Sequence, residues 1–154
     1  MANQFLRAGD VISGQEAKAQ ANINGEIVEL FDAKSIEAIA TKRKTEIRTL
    51  GKRGTQNKTV GWSGTGTLTA YYVSSRFRKL MLDYIKTGKD LYFTLIVVNR
   101  DPTSTIGTQT VALYNCNLDA TTLAKFDTEA DALDESMTFT FDDAEMLTEF
   151  SDPQ

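Results

Sequence analysis

Residues 59–73, TVGWSGTGTLTAYYV, combine Thr, Val, Tyr and Trp with glycines at 61, 64 and 66. β-Branched and aromatic residues suit a pleated, half-buried surface, while glycines inside such a run mark a bend, a bulge or a close backbone approach. The pattern predicts one long, bent or bulged strand, and most other periodic segments also read as strands. Residues 17–31, AKAQANINGEIVELF, hold two alternating runs around Asn24-Gly25, a dipeptide that supplies the positive φ values of a tight hairpin turn. LYFTLIVVN, the loop RDPTSTIGT and QTVALYNCNL predict a second hairpin over 91–118, and MTFTF at 137–141 predicts a last strand. The tail DDAEMLTEFSDPQ is expected to hold only a short turn.

One segment changes period. Phe77, Leu80, Met81, Tyr84 and Ile85 recur at spacings of three and four and predict one apolar face of a helix over about 74–87. Ser74 or Ser75 can cap its start, and Gly88 can end it. In SIEAIATKRKTEIRTL at 35–50 no apolar stripe persists into the basic half, so that half is expected to leave the core as an extended arm, followed by a solvated loop, GKRGTQNK. The sum is seven or eight strands and one helix: a mostly β, antiparallel α+β chain in which the helix covers one face of a sheet or small barrel. A length of 154 residues, 41% hydrophobic and 25% charged, predicts a single domain over 1–154 with an ordinary packed core. No repeat of 20–50 residues and no low-complexity segment interrupts it.

Absent residue types remove much chemistry. With no histidine, Ser-His-Asp and Cys-His pairs, the common zinc sites and a histidine base are excluded, leaving carboxylate- or lysine-based catalysis open. The single Cys116, in VALYNCNLD, reads as a small, half-buried strand residue; it cannot form an internal disulfide. GWSGTGT matches neither GxxxxGK[ST] nor GxGxxG, so its glycines are read as a strand bend or a close approach and not as a phosphate cradle. Asp127, Glu129 and Asp131 alternate like calcium ligands, but Ala132 stands where the turn glycine belongs and Thr138 where a bidentate Glu belongs. Asn57-Lys58-Thr59 fits the glycosylation triplet and carries no weight, because the opening MANQFLRAGD lacks a signal peptide's apolar region and synthesis in the cytoplasm without export is expected. Apolar runs such as Leu95 to Val98 are far shorter than the roughly 18 residues of a membrane span.

The net charge of −4 conceals two poles. Residues 34–60 hold eight cations and two carboxylates, a local net of +6; residues 119–154 hold eleven carboxylates and Lys125, a local net of −10. Three readings compete: solvated surface; phosphate contacts of a small nucleic-acid-binding module, hampered by the lack of any aromatic residue between Phe31 and Trp62; and head-to-tail self-association, in which opposite poles meet and build rings or filaments.

GKRGTQ, GWSGTGT, the helix ending YIKTGKD, DPTS followed by IG, and LYNCNLD occur in an order similar to that of tail tube proteins of contractile-tailed phages, above all the tube proteins of PBSX-type prophages and related contractile bacteriocins. The likeness runs from about Gly9 to about Phe150. It implies a sandwich or barrel-like subunit with one helix, a fold shared with the type VI secretion tube protein. It also implies sixfold rings stacked into a hollow tube inside a contractile sheath. Such a protein is structural, not an enzyme, needs no cofactor, and belongs to the tail of a virion or phage-like particle assembled in the host cytoplasm without a membrane anchor. The implied partners are further copies of itself, the sheath protein and the baseplate or initiator proteins, with DNA only as transient cargo in the lumen. The arm and loop at about 40–59 match the region that reaches a neighbouring subunit or ring. Lys42, Arg43, Lys44, Arg48, Lys52 and Arg53, with Trp62, are therefore the interface candidates, and acidic partners are expected within 127–145 of the acidic segment at 127–154. Strands 59–73 and 91–99 are expected to supply the sheet edges that continue between subunits. A net acidic chain agrees with a wall that lets DNA slide, since few cations are there to neutralise phosphates.

Overall fold

The computed structural model describes residues 6–14 and 17–151. After a 3-10 turn at Ala8–Asp10 come β1 (Lys18–Ile23), β2 (Glu26–Glu29), β3 (Ala33–Ile47), β4 (Gln56–Tyr71), α1 (Arg76–Thr87), β5 (Phe93–Arg100), β6 (Thr108–Ala120), β7 (Asp134–Phe141) and β8 (Asp143–Thr148). All pairings are antiparallel, in the order β2-β1-β5-β6-β7-β4-β3 with β8 also on β6. The mostly β, single-helix architecture agrees with the sequence.

β6 belongs to both halves of the sheet. Its first part pairs β5 on one side and β8 on the other, whereas Asn117 to Ala120 pair β7. The change comes at Asn115, whose φ of 55° turns the strand. β7 and β8 make the matching turn at Asp142. Two sheets, β2-β1-β5-β6-β8 and β6-β7-β4-β3, thus share a bent strand, and the core cluster spans both: Ala21, Leu95 and Leu113 from the first, Leu68, Met137 and Phe139 from the second.

Local chemistry explains the elements. Asn24 (φ 53°) and Gly25 (φ 80°) form the tight turn of the β1–β2 hairpin. α1 ends as expected, with Gly88 at φ 74° donating its N–H to the Tyr84 carbonyl at 2.8 Å. Ser75 is the N-cap residue but makes no side-chain capping bond. Only part of the helix's apolar face is covered. Phe77 is buried, 5.7 Å from Phe93 between ring centroids, and Leu80 packs on the core, but Tyr84 and Ile85 stay more than half exposed.

The glycines of GWSGTGT are seats for aromatic rings. Gly64 and Gly66 stand opposite Phe141 and Phe139, and a Cβ at either position would lie 2.5 Å and 2.3 Å from those rings. The close approach expected from the sequence is therefore a cross-strand one, a ring covering the bare backbone.

Several expectations are corrected. Gln56, Asn57 and Lys58 belong to β4 and pair Ile47, Glu46 and Thr45, so the solvated loop is shorter than GKRGTQNK. The acidic tail forms β8, because the corner at Asp142 returns the chain alongside β6; its residues 152–154 lie outside the described residues. Cys116 is completely buried, not half-buried, since it lies where the bent β6 faces the core. β5 is flanked by β1 and β6, so 91–99 offers no long free edge, whereas β4 is flanked on both sides only from Gly64 to Tyr71, so 59–73 offers a free edge over 59–63 alone. Among the described residues the free edges are those of β2, β3, β8 and the Gln56–Ser63 end of β4.

Candidate assembly interface

β7 covers β4 only from Gly64 to Tyr71, where hydrogen bonding to β3 continues on β4's other side. Beyond Gly64 the residues Gln56–Ser63 pair β3 alone. The result is a two-stranded ribbon that projects from the sheet by about 25 Å at roughly 3.3 Å per residue. Both its faces are open: β3 from Glu37 onward is exposed throughout. The arm read from the sequence is this ribbon, with the chain doubled back on itself.

A bulge bends it. Arg43 pairs Gly61 and Lys44 pairs Thr59, leaving Val60 as the extra residue. Gly61 gives Arg43 room to lie across the ribbon, since a Cβ there would stand 2.6 Å from the guanidinium. Trp62, opposite Lys42, is 43% exposed and stacks obliquely on Phe141, with centroids 6.0 Å apart. It stands at the base of the ribbon, where β7 stops covering β4, and not at the tip.

The structure places Lys42, Arg43 and Lys44 on β3, and Arg48, Lys52 and Arg53 in the turn that joins it to β4. Among the described residues none of the six lies within ion-pair distance of a carboxylate, and the three ion pairs found among them belong to Lys34, Lys125 and Arg78. Sequence reasoning missed the apolar residues between these cations. Ile39, Val60 and the fully exposed Leu50 give the ribbon uncovered apolar surface. The alternation of 35–50 carried that signal, but nothing in it told which face would stay uncovered.

The acidic stretch divides. Asp134 is held by Lys34 at 3.0 Å and Lys125 at 3.4 Å, and the Lys34 bond keeps its carboxyl below the ordinary aspartate value. Glu135 is buried against Arg78, which also donates to the Ser74 carbonyl and stacks on Tyr72, 4.3 Å from the ring centroid. Burial pushes the Glu135 carboxyl up, with the Arg78 charge opposing. These two acids are engaged at home. Asp127, Glu129 and Asp131 in the β6–β7 loop, and Asp143 and Glu145 on β8, are exposed and form no ion pair among the described residues.

No group of three or more His, Cys, Asp or Glu side chains among the described residues could hold a metal ion, and no described helix is long and apolar enough to cross a membrane. The larger concavities are open grooves. One of about 470 Å³ lies over β4 and β7, one of about 420 Å³ lies beside the start of α1, and one of about 290 Å³ lies between α1 and β6.

A family model described as phage tail tube protein matches residues 4–148. The phage-like element PBSX protein XkdM of Bacillus subtilis (strain 168) is 42% identical over 147 residues, which is 96% of this chain and 97% of that protein. Two solved assemblies contain chains of the same fold. One is the baseplate of the anti-feeding prophage, determined with 6-fold symmetrisation; it matches with a TM-score of 0.66 at 10% identity over 96% of this chain and 97% of that chain. The other is the sheath–tube complex of an extracellular contractile injection system in its extended state, with a TM-score of 0.63 at 14% identity over 85% and 88% of the two chains. The mostly antiparallel sheet, the single helix and these matches lead to one conclusion: the chain belongs to the phage tail tube protein family.

Proposed function

We propose that copies of this chain form hexameric rings that stack into the hollow inner tube of a contractile particle, with the β3–β4 ribbon reaching a neighbouring subunit or ring. The observation that carries this reading is the ribbon itself. An isolated two-stranded hairpin is marginal in water, yet this one extends past its sheet with unpaired cations and bare apolar residues on its surface. A partner that covers it removes the marginality and supplies carboxylates for Lys42, Arg43, Lys44, Arg48, Lys52 and Arg53.

The sixfold symmetry applied to the anti-feeding prophage baseplate supports rings of six, and the sheath–tube complex supports a sheath as the outer partner. Baseplate or initiator proteins start the tube, and DNA passes only as cargo. The role is structural, carried out in the tail of a virion or phage-like particle.

Negative-stain electron microscopy of the concentrated protein, with and without the particle's baseplate components, tests the reading. Wild type is expected to form rings or tubes, and K42E/R43E/K44E is expected to stay folded and unassembled. Normal tubes from that variant would remove the ribbon from the interface. A wild type that never assembles but binds DNA tightly, with affinity falling steeply as salt rises, would instead mark a nucleic-acid-binding module.

A further inference from the structure

Among the described residues the most exposed large apolar side chains are Leu50, Phe31 and Phe126, at 104%, 88% and 87%. Leu50 stands at the tip of the ribbon, in RTLGKR, beside Arg48, Lys52 and Arg53 and no carboxylate. Phe126 stands in the β6–β7 loop, in FDTEAD, beside Asp127, Glu129 and Asp131 and no cation. These charges are exposed, and none belongs to an ion pair among the described residues. Each segment is thus a bare apolar residue set among charges of one sign, and the two signs are opposite.

β4 holds the two segments apart. Its Gln56 end pairs Ile47 at the foot of the tip. At its other end Tyr71 pairs Asp134, and the Tyr72 N–H donates to the Leu133 carbonyl at 3.0 Å, so the β6–β7 loop closes there. The strand's 16 residues, at roughly 3.3 Å each, put about 50 Å between tip and loop, so one copy cannot bring its own two segments together. The loop also has a set shape. Lys125 is turned to β7, where it donates to the Asp134 carbonyl at 2.6 Å, and the Glu129 N–H donates to the Asp127 carboxylate at 3.0 Å. Phe31 lies at the same end of β4, but the groove beside it also holds Arg76 and Lys79, so its charge is mixed, whereas the charge around Phe126 is all negative.

We propose that the ribbon tip of one copy docks on the β6–β7 loop of the next, Leu50 against Phe126, with Arg48, Lys52 and Arg53 among Asp127, Glu129 and Asp131. This rests on the tube reading above and names the surface that receives the ribbon. Tip against tip, or loop against loop, would gather like charges, so a second copy in head-to-tail order is the partner that fits. Removing Leu50 and Phe126 from water supplies affinity, and the charges choose the partner and the orientation. A contact between different surfaces at opposite ends of one strand is heterologous and repeats along that strand's direction, so copies stack instead of closing as pairs.

Charge exchange in the full chain tests the docking, read by electron microscopy with circular dichroism as the folding check. R48E/K52E/R53E and D127K/E129K/D131K alter exposed positions alone, so each is expected to fold and, by itself, to form no tubes. Mixed in equal amounts they are expected to form tubes containing both, because the tip of each then meets a loop of opposite sign on the other. L50S is expected to raise the concentration at which tubes form by about tenfold. Normal tubes from D127K/E129K/D131K by itself would overturn the docking and leave the tube reading standing. So would a folded mixture that stays unassembled, or L50S assembling at the wild-type concentration. A wild type that forms no tubes, even with baseplate components, overturns both.

Discussion

Asn115 donates a hydrogen bond from its side-chain amide to the Asp142 carboxylate at 2.8 Å, and the Asp142 N–H donates to the Tyr114 carbonyl at 3.3 Å. These two residues are the two halves of one corner. β6 turns at Asn115 to leave β5 and β8 for β7, and the chain turns at Asp142 to leave β7 and form β8. An asparagine suits the first position because its short polar side chain tolerates the left-handed region and bonds locally.

Asn115→Ala is expected to lose about 1–2 kcal/mol, from the left-handed φ that alanine resists and from the lost exposed hydrogen bond. Asn115→Gly keeps the conformation, so its loss is expected to be about 0.5 kcal/mol. Urea unfolding of both variants beside wild type separates the two contributions.

Gly66→Ala places a methyl group within 2.3 Å of the buried Phe139 ring. The ring must leave its rotamer or β4 must shift, at a cost of about 1–3 kcal/mol. Gly54→Ala, where the nearest atom is the tip of a lysine stem at 3.8 Å, is expected to change stability by less than about 0.5 kcal/mol. Thermal unfolding of the pair checks that the penalty belongs to the ring seat.

Arg78→Met leaves Glu135 buried without its cation and is expected to destabilise by about 3 kcal/mol at neutral pH. Burial raises the Glu135 carboxyl, so the folded chain holds that proton to higher pH than the unfolded chain does. Its contribution is full below the ordinary value of 4.5 and is lost as pH rises through the raised folded value. Without Arg78 the carboxyl rises further. The variant's stability is therefore expected to fall more steeply than wild type's between the ordinary glutamate value and neutrality, and R78M/E135Q is expected to flatten that fall.

Asp101 has the opposite sign. The Thr103 hydroxyl donates to it at 2.7 Å, and the N–H groups of Ser13 and Thr103 at 2.8 Å and 3.0 Å, holding its carboxyl below the ordinary 3.8. Its stabilisation is present above 3.8 and lost as pH falls through the lowered folded value. Asp101→Asn is expected to be less stable than wild type at neutral pH, with the gap closing as pH falls below the ordinary aspartate value. Unfolding curves across that range check it.

Burial pushes the Cys116 thiol up to about 12. Because the thiolate is the reactive form, a thiol reagent is expected to label the folded chain only at the rate at which the core opens, and the unfolded chain at once. Labelling faster than global unfolding would mean that the β6 corner opens on its own.

Much of the fold was legible in local patterns. Asn24-Gly25 specified a hairpin because few dipeptides accept two positive φ values in succession. The helix followed from the three-and-four spacing of Phe77, Leu80 and Met81, and its end from Gly88. β8 was not legible. DAEMLT is acidic and has no apolar alternation that repays burial, and it is a strand only because the Asp142 corner lays it against β6. The ribbon was half legible: the basic run said that 40–59 leaves the core, but not that β4 accompanies β3 as far as Gln56.

The sequence by itself determined the class of elements, the separation of charge into two poles and the family resemblance, because each resides in neighbouring residues or in short motifs in order. Tertiary structure decided which strands are edges, which acids are occupied and which cations are free. Asp134 and Glu135 look like any other members of an acidic run until Lys34, Lys125 and Arg78, distant in sequence except for Lys125, are folded against them. Strand order depends on pairings between remote residues, and no local period encodes it. The free edges and free charges are what the fold leaves unpaired, so they exist only once every other pairing has been made.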